Sequence, residues 1–162
     1  AVAASSTAMS AVAASSTAMS AVAASSTALG SIAKQTNTST LSKWLTEVNK
    51  SQTLISAIAS TLKSASNFTN SYNGGHDGVS GADTYFASKS VIGLLACGYY
   101  TSGSSSSQKV NMTLNGTTIF SGKSSNYRPT TGNSGTDGIA IRDCKFTETG
   151  DGYLGISVYT VK

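Results

Sequence analysis

Charge and aromatic rings are scarce in this chain of 162 residues: 11% of it is charged and 7% aromatic, with one Pro, one Trp, one His and two Cys. The low charge excludes a disordered chain of the highly charged kind, which couples low hydrophobicity to high net charge. Two cysteines exclude a disulfide-dense scaffold. No apolar run reaches 18 residues, because Ser, Thr or Gly interrupts each candidate, so no segment reads as a membrane span and no membrane insertion is expected. The net charge of +4 comes from 11 Lys and Arg against 7 Asp and Glu, spread singly. Nucleic acid calls for a concentrated cationic face, and none is present, so no nucleic-acid partner is expected. Ser, Thr, Ala and Gly fill the gap. The chain opens on Ala1 rather than Met, which reads as a fragment or a processed product.

The start of the chain is a repeat. Residues 1–10 read AVAASSTAMS, 11–20 repeat them identically, and 21–28 repeat the first eight before Leu29-Gly30. A ten-residue period describes an array whose units bury little alone. The larger apolar residues, Val2, Met9, Val12, Met19, Val22, Leu29 and Ile32, alternate at spacings of seven and three. On a strand those spacings scatter them over both faces; on a helix they share one face. Ala content favours helix as well. A continuous helix with ten residues in three turns has about 3.3 per turn, which predicts a left-handed supercoil tighter than a heptad coil, with Ser5 or Ser6 and their equivalents on the seam. Residues 1–33 carry no charge. So weak a stripe needs partner helices. A disordered Ala/Ser/Thr linker is the compositional alternative.

From Leu41 the spacing changes to threes and fours through Trp44, Val48, Ser51, Ile55, Ile58, Leu62 and Ala65. This is the pattern of a coiled-coil seam, and Ile at both an a and a d position (Ile55, Ile58) leans to three strands. Leu41, Trp44, Val48, Ile55, Ile58 and Leu62 are the predicted trimer seam, with Trp44 read as core filler. Lys34, Lys43, Lys50 and Lys63 with Glu47 read as a solvated face. Helix is expected to end near residues 67–75, where Asn, Ser and Gly accumulate. One continuous helix over 1–66 would be a rod about 100 Å long.

Beyond Gly75 β signals take over. Ser90–Tyr100 is a dense apolar run; Val110, Met112 and Leu114 alternate up to Asn115-Gly116, and Thr117–Phe120 follows. Asn-Gly between two such runs is a strong hairpin signal, because both residues accept positive φ. Residues 138–146 and 153–161 are expected to pair through Thr149-Gly150-Asp151-Gly152. The predicted class is mixed: an N-terminal trimeric helical coiled coil, decad then heptad, followed by an all-β sandwich or jelly-roll-like head. The boundaries are 1–33 decad stalk, 34–68 heptad coil, 69–89 connector and 90–162 head, and the head reads as terminal, since the chain stops at Lys162.

Little chemistry is available. His76 alone excludes a site needing two His from one chain; three copies in a trimer would supply a metal site, but a lone loop histidine is more simply solvated. Asp77, Asp83, Asp137, Asp143, Glu148 and Asp151 lie mostly in Gly-rich turns, where Asp is favoured for backbone reasons. Paired carboxylates for glycoside hydrolysis are not excluded by sequence, yet hairpin tips are poor places for them. No Gly-x-Ser-x-Gly elbow with triad partners and no EF-hand ladder is present. The chain reads as no enzyme, with no catalytic residue, no cofactor and no metal. Cys97 and Cys144 fall in predicted strands and read as buried free thiols, a disulfide being the alternative. Tyr127-Arg128, in the segment 121–137, and Tyr99-Tyr100, before a Gly/Ser stretch, are the candidate receptor-binding residues. Flat aromatic faces suit sugar rings and Arg pairs with acidic sugars; the alternative is that these tyrosines only cover strand ends.

The AVAASSTAMS decads, the heptad spacing after them and a Gly-rich β segment with Asn115-Gly116 resemble the distal part of a tailed-bacteriophage tail fibre or appendage. The resemblance implies a parallel homotrimer, assembled in the host cytoplasm and carried on the virion. Its head would touch a host-surface glycan or outer-membrane protein. The His-x-His metal motif of some long fibres is missing, and no binding residue carries over by motif. A purely structural subunit, whose head only folds and caps the trimer, is the competing reading.

Overall fold

The structure of the protein, a computed structural model, describes residues 2–77, 80–82, 90–99, 109–122, 136–149 and 152–162. Each decad forms its own short helix instead of one continuous rod. A 3-10 turn at Val2–Ala4 leads into α1 (Ser6–Ala13), α2 (Ser16–Ala23) and α3 (Ser26–Ala33). The breaks fall on serine. Ser5, Ser15 and Ser25 are extended, and each side chain accepts the backbone N–H three residues on, at Ala8, Ala18 and Ala28, all at 3.2 Å. A Ser N-cap satisfies one of the orphan N–H groups of a helix start and costs nothing in side-chain volume. The ten-residue period is therefore eight helical residues plus a two-residue corner, and the predicted tight supercoil does not form.

After a 3-10 turn at Thr38–Leu41 come α4 (Ser42–Asn49), which starts at Leu41 without a side-chain cap, and α5 (Gln52–Ser64), where the serine cap recurs: Ser51 accepts Leu54 N–H at 3.3 Å. The two halves of the helical region match at a shift of 36 positions: Ser6/Ser42, Met9/Leu45, Val12/Val48, Ser15/Ser51, Met19/Ile55 and Val22/Ile58. The fold follows that match. α1 packs on α4 and α2 on α5. Thr40 Oγ1 donates to Ala3 O at 3.3 Å and Thr61 Oγ1 donates to Ala23 O at 2.8 Å. The corners thus wind the helices into a coil whose second turn lies under its first. Buried Met9, Met19, Leu29, Leu45 and Ile55 fill it.

The expected helical coiled coil is accordingly corrected. The α-helices are 8 to 13 residues long, too short for a stalk. The six seam residues Leu41, Trp44, Val48, Ile55, Ile58 and Leu62 are each at most 1% exposed within the single chain. Spacings of three and four mark a buried helix face, and here that face is covered by the chain's own α1, α2 and sheets. Lys34, Lys43, Lys50 and Lys63 do face solvent, with Lys50 Nζ 2.8 Å from Glu47 Oε1.

Eight strands follow among the described residues: β1 (Phe68–Asp77), β2 (Ser80–Ala82), β3 (Val91–Tyr99), β4 (Lys109–Leu114), β5 (Thr117–Ser121), β6 (Gly138–Ile141), β7 (Lys145–Thr149) and β8 (Gly152–Val161). β1 and β2 occupy the segment read from sequence as a connector. All the pairings are antiparallel, in the orders β1-β8-β3-β6 and β2-β7-β4-β5. Those two orders are the strand arrangement of an eight-stranded jelly roll. Residues 138–146 and 153–161, expected to pair, do not: the first stretch divides into β6, which pairs with β3, and the start of β7 in the other sheet, while β8 pairs with β1 and β3. At the Asn115-Gly116 turn both residues have positive φ, 51° and 76°, as a tight hairpin joining right-twisted strands requires.

The first sheet is covered on both faces. The second sheet packs on one side, and α3, α4 and α5 reach β3, β8 and β6. This is why Val91–Cys97 is buried at every position and β6 likewise, rather than at alternate ones. One hydrophobic cluster runs from Met9 through Trp44 and Ile58 to Leu95, Phe146 and Val158. Helices and sheets are one packed body, of mixed α and β architecture, and not a stalk with a head.

Candidate binding end of the β-sandwich

Strand register shows which connections share an end. Asp77 lies opposite Tyr153, Tyr99 opposite Gly152, Lys109 opposite Thr149 and Asn111 opposite Ser121. Only residues 78–79 separate β1 from β2, and only 150–151 separate β7 from β8, so the two sheets have this end in common. The strand ends at Tyr99 and Lys109, and at Ser121 and Gly138, belong to it too. The opposite end holds the chain's entry at Phe68 and its exit, where Lys162 N–H donates to Asn67 O at 3.1 Å.

Of the four candidate receptor-binding residues, one lies within the described residues and belongs to the first end. Tyr99 closes β3 there. Tyr100, Tyr127 and Arg128 lie outside the described residues, in stretches whose flanking strands end at this same place. The topology therefore relates two segments that sequence alone treats separately. His76 sits on β1 opposite Leu154, one position before the strand's end.

The root of this end is built tightly. Asp137 extends the β3–β6 ladder: its N–H donates to Leu95 O at 2.6 Å, and its Oδ2 accepts Cys97 N–H at 3.0 Å. Gln52 Nε2 donates to Thr136 O at 2.9 Å, tying the approach to β6 onto α5. On the other flank Gly122 N–H donates to Val110 O at 2.5 Å. A Cβ at Gly122 would sit 2.8 Å from both Cys97 Cβ and Val110 O; only glycine fits where the two sheets come this close. Residues 123–135 thus depart from Gly122 and return at Thr136 between fixed points. In the sequence Asp137 resembles any other acid of a Gly-rich turn, and nothing in the residues around Gly122 marks it. An Asp-Gly pair directly before an apolar strand was the available signal.

The two cysteines, Cys97 near this end and Cys144 in the β6–β7 connection at the other, do not suit covalent chemistry. Cys97 and Cys144 are free and buried, Cys144 in the approach to β7 rather than within a strand. Burial, and secondarily the Asp137 charge, pushes the Cys97 thiol up; burial pushes Cys144 up to about 12, with a smaller lowering from its Ile141 hydrogen bond and a raising by Asp143. Both are neutral thiols rather than nucleophilic thiolates at ordinary pH. Among the described residues no group of three or more His, Cys, Asp or Glu could hold a metal ion. No helix among them is long and apolar enough to cross a membrane. In comparisons with known proteins the chain matches no family model and no curated sequence.

Proposed function

We propose that this chain is a module of a tailed-phage fibre or appendage that binds a host-surface saccharide with the end of its jelly roll carrying Tyr99, Tyr100, Tyr127 and Arg128. The observation supporting it is topological. The strands that flank residues 100–108 and 123–135 end side by side, so two segments carrying aromatic and cationic side chains are rooted together on a rigid sheet edge. Binding residues are commonly carried on loops placed by a rigid scaffold. Stacking on Tyr and pairing with Arg suit a sugar bearing an acidic group. The reading needs no helical seam between chains, since the side chains first assigned to one are spent inside the fold. Virion placement and non-enzymatic action belong to the same proposal.

The test is a glycan array and a host-cell adsorption assay with the whole chain, comparing wild type with Tyr127→Ala/Arg128→Ala. Saccharide binding is expected to fall by tenfold or more, corresponding to a loss of about 1.4 kcal/mol. Unchanged adsorption by the folded variant overturns the reading and leaves a structural subunit in its place.

A further inference from the structure

The sequence holds two Asn-Gly pairs, Asn73-Gly74 and Asn115-Gly116. With no side chain to shield it, a glycine nitrogen can reach back to the carboxamide of a preceding asparagine, so either pair is a candidate for deamidation. The fold separates them. Asn73 and Gly74 lie inside β1, opposite Ser157 and Ile156 of β8. Gly74 is buried with the Tyr72 ring over it, and Asn73 Oδ1 accepts from Asn70 Nδ2 at 3.2 Å. Extended backbone holds the Gly74 nitrogen away from the Asn73 carboxamide, and bringing them together would take Gly74 out of the ladder.

Asn115 and Gly116 are the two central residues of the β4–β5 turn, closed by the Leu114–Thr117 pair. Both are exposed, and a Cβ built on Gly116 would meet nothing within 4 Å. Their φ values of 51° and 76° define a type I′ turn, in which the Gly116 nitrogen and the Asn115 side chain point apart about the Asn115 Cα–C bond. Type II′, the other two-residue hairpin turn, keeps positive φ at its first residue alone. Turning over the single peptide between Asn115 and Gly116 converts the first type into the second, and glycine accepts the φ of either. The Leu114–Thr117 pair stays in place, and the Gly116 nitrogen comes against the Asn115 carboxamide.

We propose that Asn115 is a deamidation site of the folded protein, reached by this peptide flip and not by unfolding, while β1 holds Asn73 unreactive. The Gly116 nitrogen gives its proton to water and bonds to Asn115 Cγ; the side-chain nitrogen leaves as ammonia, and a cyclic imide remains. Water then opens the imide at either carbonyl. The product is aspartate or, where the main chain now runs through the side-chain carbon, isoaspartate. Nothing is oxidised or reduced. The turn gains a negative charge in both cases, and isoaspartate adds a main-chain atom just before β5, the last strand of its sheet. Asn115 thus records the age of the folded chain. β4 runs from Lys109, opposite Thr149, to Leu114, so the turn lies at the end of the sandwich away from Tyr99, and this inference stands apart from the proposed function.

The test is peptide mapping by mass spectrometry after incubating the whole chain in neutral buffer, with isoaspartate told from aspartate by its separate elution. In the folded chain conversion at Asn115 is expected to run about tenfold or more faster than at Asn73, whose strand must first open. In unfolding concentrations of urea the two pairs should react at comparable rates. The Asn115 rate should also stay flat in urea below the unfolding transition, because the flip breaks no ladder bond. Asn73 keeping pace with Asn115 in the folded chain, or both staying intact there while they react in the unfolded one, overturns the inference. So does an Asn115 rate that climbs with urea below the transition, which would assign the reaction to opening of the hairpin.

Discussion

The side chain of Asn49 stands in for a neighbouring β-strand at Ile139. Its Nδ2 donates to Ile139 O at 3.0 Å while its Oδ1 accepts Ile139 N–H at 2.7 Å, satisfying both outward backbone groups of that residue. β6 is the last strand of its sheet, and an uncovered edge is a template for pairing with another chain. One amide on the last residue of α4 thus covers the edge at Ile139 and fixes helix against sheet. A sequence window around Asn49 shows only a polar residue near a helix end.

Removing that amide exposes the edge. Asn49→Ala is expected to lower unfolding free energy by about 2 kcal/mol, since two buried backbone groups lose their partner. Asn49→Asp keeps an acceptor for the Ile139 N–H but sets a carboxylate against the carbonyl, and is expected to cost at least as much. Urea denaturation gives the first number, and hydrogen exchange at Ile139 should speed up in both variants. An unchanged midpoint for Asn49→Ala would show that the contact carries no net stability.

The serine corners are open to a second test. Ser15→Ala and Ser51→Ala should each cost about 1 kcal/mol, and Ser15→Asp should be tolerated, because Asp caps as well as Ser does. The loss measures the corner itself, as the serine side chains fill no core space. If Ser15→Ala is neutral or stabilising by thermal melting, the chain prefers a continuous helix across Ala14 and the corner is not set by the cap.

Much of this was legible and some was not, for identifiable reasons. The spacing of Val2, Met9, Val12 and Met19 correctly separates helix from strand. It does not separate a helix of 3.3 residues per turn from a helix broken every ten, since both bring those residues to one side; the Ser-Ser-Thr in each decad carries that information, as a cap. The threes and fours from Leu41 to Leu62 mark a buried face, but periodicity is silent on whether the cover is another chain or the same one. The match at 36 positions, Ser6/Ser42 through Val22/Ile58, was the missing clue. β3 shows the reverse case: its unbroken apolar run already signals burial on both faces, which an open one-sided sheet would not need. The expected pairing of 138–146 with 153–161 failed because the Gly-rich link at 149–152 reads as a hairpin, while in a jelly roll the connection there crosses between sheets. At the candidate site, Tyr99 and the segment of Tyr127 were visible as residue types; their common end required the strand order.

The buried thiols make the fold sensitive to alkali. Cys144 is raised from its ordinary 9.0 to about 12, Cys97 is raised too, and Tyr159 is raised by burial against a smaller opposing hydrogen bond from Asn70. Above pH 9 the unfolded chain releases thiol protons that the folded chain keeps, so stability falls as pH rises. It is fully present below pH 9 and is lost between 9 and about 12, at about 1.4 kcal/mol per pH unit for each thiol. Cys144→Ala removes one of these terms and should flatten the slope by that amount, at the expense of a small cavity that lowers stability equally at all pH values. Urea midpoints measured from pH 7 to pH 10.5 give the two slopes. Native-state alkylation by iodoacetamide is the companion measurement, and it should proceed only as fast as the buried cluster opens. Rapid labelling of either cysteine in the folded protein, or parallel pH profiles for wild type and Cys144→Ala, would place the thiols in contact with water and contradict their burial between the sheets.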